Sequence, residues 1–164
     1  MTPDLVGLVG VLSSAGVEYV IVGGVAGNLL GALRTTLDLD IVYSRDPENI
    51  SRLVAALSPY QPYLRGAPAG LPFVLDKATL ERGLNFTLTT TLGDLDLLGE
   101  VTGGGRFEVL KTDAVAIEID RWTCLVVSLP KLIGLKRAAG RGKDREALAE
   151  LEALLEERER GNSS

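Results

Sequence analysis

The hydrophobic pattern of this chain switches repeatedly between a helical period and a strand period. Leu5, Leu8, Val9 and Leu12 recur at helical spacing behind Thr2 as cap and Pro3 at the first helical position, which predicts a helix ending near Gly16. "VEYVIV" (Val17–Val22) is a short β-branched run bounded by Gly23-Gly24, the mark of a buried strand. "VAGNLLGAL" (Val25–Leu33) reads as a helix despite internal glycines that each cost about 1 kcal/mol relative to alanine. "LDLDIVY" (Leu37–Tyr43) reads as a second strand, and Asp46 caps a further helix that starts at Pro47. The result is a βαβ-like arrangement near the N-terminus.

Downstream, the Pro, Gly and Tyr content from Ser58 to Pro72 predicts a long loop over the site. "LNFTLTTTLGDLDLLG" forms two strands joined around Leu92-Gly93, and "VAIEID" with "WTCLVVSL" forms two more, joined at Asp120-Arg121. Ser128 caps a helix that runs through "KLIGLKRAA" to Gly140. "KDREALAELEALLEERER" is the last helix, with Ala147, Leu148, Leu151, Leu154 and Leu155 on one face; the final "GNSS" is expected to fray. The expected class is α/β (α+β), a mixed sheet flanked by helices. Residues 1–160 form one domain, with a helical tail from about 129.

Within this pattern, Asp38 and Asp40 break the apolar run of the second strand. Residues two apart on a strand share a face at about 6.5 to 7 Å, so these carboxylates project together while Leu37, Leu39 and Ile41 point into the core. Asp94 and Asp96 alternate with leucines in the same way, so neighbouring strands can assemble an acidic cluster. Like charges packed this closely repel, and a divalent cation relieves that repulsion. An alternative gives that role to Arg34, as a salt-bridge partner of Asp38 or Asp40. A further alternative is an exposed edge strand with solvated carboxylates.

Gly23 and Gly24 stand where a strand turns into a helix, which lets backbone N–H groups approach phosphate oxygens with help from the helix dipole. Arg34, Thr35 and Thr36 precede the acidic strand and offer a guanidinium and hydroxyls to further phosphate oxygens.

Composition narrows the chemistry. The 164 residues contain no histidine, which removes Ser-His-Asp and Cys-His catalysis and every histidine metal site. Carboxylates are the remaining metal ligands, so Mg²⁺ or Mn²⁺ is the expected type. A net charge of -5 argues against broad binding of nucleic acid by counterion release. The single cysteine, Cys124, has no internal disulfide partner, and the start of the chain lacks a basic leader pattern; a cytoplasmic location is expected.

"VGGVAGNLLGALRTTLDLDI" resembles the nucleotidyltransferase signature of the polymerase-β-like superfamily, a Gly-Gly or Gly-Ser turn followed by Asp-hydrophobic-Asp. The Arg-x-Thr-x-Asp-hydrophobic-Asp form is most similar to small bacterial nucleotidyltransferase-like proteins, among them toxin-antitoxin-associated ones. The resemblance implies the polymerase-β-like nucleotidyltransferase fold and transfer of an NMP from an NTP such as ATP to an acceptor hydroxyl. It implies that Asp38 and Asp40 bind two Mg²⁺ ions, with Asp96 as third carboxylate and candidate base, and Asp94 in reserve. Gly23 and Gly24 would line the triphosphate site, with Arg34 and Thr36. The tail "LPKLIGLKRAAGRGKDREAL" is similar to that of these proteins at Lys136, Arg141, Lys143 and Asp144, with Ala147 where relatives often carry a second Asp. A tRNA 3′ end, a protein hydroxyl or a small molecule is the implied acceptor, and a cognate antitoxin the implied partner. The alternative is a non-catalytic module of the same fold that binds nucleotide or protein.

Overall fold

The computed structural model describes residues 2–140 and 145–162. Helix α1 (Leu5–Ser14) leads into β1 (Tyr19–Val22), α2 (Gly23–Leu30), β2 (Asp38–Tyr43) and α3 (Pro47–Leu57). The short strand β3 (Tyr63–Leu64), helix α4 (Lys77–Arg82) and hairpin β4 (Asn85–Thr90) and β5 (Gly93–Leu98) follow. Helix α5 (Phe107–Leu110), hairpin β6 (Val115–Ile119) and β7 (Trp122–Val126), then α6 (Leu129–Ala139) and α7 (Arg145–Asn162) complete the described residues.

The strands form one seven-stranded mixed sheet in the order β3-β4-β5-β2-β1-β7-β6. At its centre β2 runs parallel to β5 and antiparallel to β1, while β1 runs parallel to β7. The expected βαβ-like arrangement is therefore corrected, because α2 returns the chain antiparallel beside β1. Val20, Ile21, Leu39, Ile41, Leu95 and Leu97 are fully buried, which makes the central strands the middle of the core. Helices α1, α3 and α4 pack as one group; α2 lies on β1 and β2 and packs against α6, which packs against α7. Leu151 on α7 is buried, and Leu148, Leu154 and Leu155 are partly buried against the core, so the apolar stripe of the tail is spent on it.

Several boundaries differ from the sequence reading for local reasons. The cap of α1 is Asp4 rather than Thr2: its carboxylate accepts from Gly7 N–H at 2.8 Å, while its own N–H donates to the Leu92 carbonyl at 2.6 Å. That second bond ties the start of α1 to the β4–β5 turn. Leu37 lies outside β2 and is 62% exposed, so it does not join Leu39 and Ile41 in the core. Helix α2 starts at Gly23 itself and stops at Gly31. The Ser58–Pro72 stretch is more ordered than a loop reading implies, since a single 3-10 turn over Ser58–Tyr60 precedes β3, which pairs with β4 at the sheet edge. Asp46 and Ser128 cap α3 and α6 as expected. Helix α7 extends to Asn162, two residues into the stretch expected to fray.

Candidate active site

The parallel register of β2 and β5 sets Asp38 beside Asp94 and Asp40 beside Asp96. Both pairs therefore stand on one face of the sheet, because each strand alternates. From them the structure brings Asp38, Asp40 and Asp96 together: one oxygen of each lies within 4.8 Å of the others, and all three residues are half-buried. Asp94 stays outside this group and faces Arg65 instead, with 3.2 Å between Arg65 Nε and Asp94 Oδ2.

Asp40 is the strained member. Burial pushes its carboxyl up to about 8, and the charges of Asp38 and Asp96 add to the rise. Its Oδ1 is buried without a hydrogen-bond partner. A buried, unsatisfied carboxylate oxygen facing two further carboxylates costs free energy that a cation recovers. The donor set is all oxygen and fits a hard divalent ion.

Gly23 begins α2 directly against Asp40. Its φ is 69°, and a Cβ placed there would lie 2.1 Å from Asp40 Oδ2, so both backbone shape and space exclude a side chain. At Gly24 the added Cβ would meet Thr36 Oγ1 at 2.8 Å. The glycine pair thus lets the first turn of α2 sit on the acidic strand and the segment before it. Val22 makes no side-chain cap, so the opening N–H groups of α2 are not occupied in that way.

Two hollows meet at this turn. One, of about 340 Å³, is bordered by Gly23, Asp40, Asn85, Glu100 and Lys136. The other, of about 210 Å³, is bordered by Gly24, Arg34, Thr35, Thr36 and Glu150. Gly23 and Lys136 border both. Thr36 Oγ1 donates to the Asp38 carbonyl at 3.3 Å. Arg34 pairs with Glu146 of α7 at 3.5 Å, an exposed contact, which corrects the alternative that made it the partner of Asp38 or Asp40. Arg141, Lys143 and Asp144 lie outside the described residues.

One cation at the acidic cluster is Arg65, which the sequence reading missed. Its guanidinium donates to Asp96 Oδ1 at 2.8 Å and to the Leu88 carbonyl at 2.7 Å. A signal was present: from Leu53 to Leu75 Arg65 is the sole charged residue. Asn85 and Glu100, which flank the larger hollow, were likewise not singled out.

No protein-family model matches the chain, and no curated protein matches it significantly. The crystal structure of a Thermotoga maritima protein, whose own assignment as a nucleotidyltransferase is provisional, matches with a TM-score of 0.57 at 16% identity over 88% of each chain. The fold is nucleotidyltransferase-like. A likeness at that identity speaks for the architecture, and the nucleotidyltransferase-like fold here carries its acidic group on β2 and β5, next to the Gly-Gly start of α2. No helix among the described residues is long and apolar enough to cross a membrane.

Proposed function

We propose that this protein is a metal-dependent nucleotidyltransferase that moves an NMP from an NTP to an acceptor hydroxyl with release of pyrophosphate. The observation that carries the reading is the group of Asp38, Asp40 and Asp96 set against the glycine start of α2, with Asp40 Oδ1 buried and unsatisfied.

Asp38, Asp40 and Asp96 would hold Mg²⁺ or Mn²⁺, which when bound supplies Lewis-acid stabilisation of charge on the α-phosphate and the departing pyrophosphate. The chain's own groups do the rest. The first N–H groups of α2 offer donors to phosphate oxygens, and the missing Cβ atoms of Gly23 and Gly24 let that turn lie directly against Asp40 and Thr36. Lys136, which borders both hollows, brings a cation to the triphosphate; Arg34 and Thr36 serve the smaller hollow. Asp96 accepts the proton of the acceptor hydroxyl as its oxygen bonds to the α-phosphorus and the bond to the β-phosphate oxygen breaks. A tRNA 3′ end and a hydroxyl of a partner protein, such as a cognate antitoxin, are the acceptors we propose to compare.

Metal-dependent pyrophosphate release from each of the four NTPs tests this assignment. Asp40→Asn should lower release at least 100-fold while the protein stays folded; wild-type turnover by that variant would remove the assignment. One observation favours a second reading, a module that binds nucleotide and transfers nothing: Asp96, the proposed base, is already engaged by Arg65. Metal-dependent NTP binding without pyrophosphate release identifies that module.

A further inference from the structure

Arg65 is anchored at both ends. Its backbone N–H donates to the Thr87 carbonyl at 3.0 Å, which continues the β3–β4 pairing by one residue. Its guanidinium donates to the Leu88 carbonyl on the same strand, so the side chain is tied to β4 before it meets any carboxylate. From that anchor it reaches Asp96 Oδ1 at 2.8 Å and Asp94 Oδ2 at 3.2 Å. The Nε contact to Asp94 is an ion pair outside hydrogen-bond geometry. The Arg65 side chain is 29% exposed, and that of Asp96 only 23%, which strengthens the contact relative to a surface pair.

Asp94 and Asp96 lie on the same face of β5, but only Asp96 belongs to the acidic group with Asp38 and Asp40. A short aspartate side chain on a strand retains rotation about Cα–Cβ and Cβ–Cγ. Arg65 removes that freedom from Asp96 by holding one oxygen against a fixed backbone point. Asp94 in turn limits where the guanidinium can lie.

We propose that Arg65, steadied by Asp94 and the Leu88 carbonyl, is a positioning residue that fixes the Asp96 carboxylate toward Asp38 and Asp40. The inference rests on the nucleotidyl-transfer reading for its consequence in turnover, and on the acidic group alone for its consequence in cation binding. It also assigns the edge strand β3 a purpose, which is to deliver one arginine to the far side of the cluster. Asp94 becomes the arginine's second support rather than a spare metal ligand.

The test uses the full chain and its Arg65→Gln, Arg65→Lys and Asp94→Asn variants, with two readouts. The first is Mn²⁺ affinity, followed by electron paramagnetic resonance of the free ion with no nucleotide present. Charge alone predicts tighter Mn²⁺ in Arg65→Gln, since a cation near the carboxylates has been removed. Positioning predicts the opposite, roughly 10-fold weaker binding, the scale of lost supports behind metal ligands. Arg65→Lys keeps the charge but loses the fork and falls between. Asp94→Asn shifts affinity the same way by a smaller factor. The second readout is turnover: kcat drops about 10- to 100-fold in Arg65→Gln while KM for the NTP stays within about threefold.

Should Arg65→Gln fail to fold, Arg65→Lys decides alone, because it keeps the charge, for which charge alone predicts no change, and loses only the fork. Unchanged or tighter Mn²⁺ binding in the folded variants overturns the positioning role. A wild type that binds Mn²⁺ but transfers nothing removes the enzymatic reading and leaves the positioning role standing on the first readout. A wild type that takes up no Mn²⁺ overturns both.

Discussion

Gly23 sits so close to Asp40 that a Cβ on the glycine would fall 2.1 Å from the Asp40 Oδ2 atom. The start of α2 and the acidic strand are therefore one object, and neither half of the motif can be altered without the other. Gly23→Ala should lower stability by about 1–3 kcal/mol, from the left-handed backbone and the displaced carboxylate. It should also weaken Mn²⁺ binding about 10-fold or more. Gly24→Ala should cost less, because the neighbour it meets is the Thr36 hydroxyl and its φ is not positive. Urea unfolding and Mn²⁺ titration of the two variants check this ranking; equal effects would contradict it.

Asp40 gives a pH dependence with a definite sign. Its carboxyl is raised to about 8 by burial and by its acidic neighbours, so the folded state holds the proton more tightly than the unfolded chain does. The resulting stability is fully present below the ordinary carboxylate value and is lost as pH rises from about 4 to about 8. Wild type should thus lose ground to Asp40→Asn across that window, by at most roughly 1.4 kcal/mol per pH unit. Mn²⁺ should reverse the loss, with an affinity that rises up to about 10-fold per pH unit below 8 as the proton is displaced. Urea midpoints of both proteins at pH 5 and 8, with and without Mn²⁺, provide the comparison. Parallel curves in the absence of metal would contradict the account.

Asn49 offers a change that separates fold from site. The residue is 1% exposed; Oδ1 accepts from Glu18 N–H at 2.7 Å, while Nδ2 donates to the Glu18 and Ser44 carbonyls at 3.1 and 2.8 Å. These bonds pin α3 to the segments flanking β1 and β2. Asn49→Ala leaves backbone groups unsatisfied and should cost about 2–4 kcal/mol. Mn²⁺ affinity at low temperature, where the variant remains folded, should match wild type. A parallel loss of Mn²⁺ affinity there would mean that the site is less independent of this end of the sheet than its geometry implies.

How far the sequence could be read depended on whether a signal was local. The alternation of Asp38 and Asp40 with Leu39 and Ile41, and of Asp94 and Asp96 with Leu95 and Leu97, is a period-two pattern, so the strands and their acidic faces were legible before any pairing was known. Their parallel register, which puts Asp96 rather than Asp94 beside Asp40, is a contact across distant sequence and had no local mark. The direction of β1 relative to β2 was misread for the same reason. Thr2 and Asp4 are both residue types that cap helices; Asp4 takes the Gly7 N–H, and its backbone bond to Leu92 of the far hairpin, which has no local mark, holds it there. The short α4 and α5 were too brief to show a period. Arg65 sat inside a Pro- and Gly-rich stretch read as loop, so its role at the cluster surfaced only when β3 placed that stretch at the sheet edge.

The central claim is transfer of a nucleotide by the Asp38, Asp40 and Asp96 group. It is tested most directly by incubating wild type and the Asp38→Ala/Asp40→Ala double variant with Mg²⁺ or Mn²⁺, each α-labelled NTP, and total tRNA or whole-cell lysate. The account predicts label in a macromolecule, with pyrophosphate released in equal amount, for the wild type only. Label at the same level with the folded double variant, or none with either protein, would contradict it.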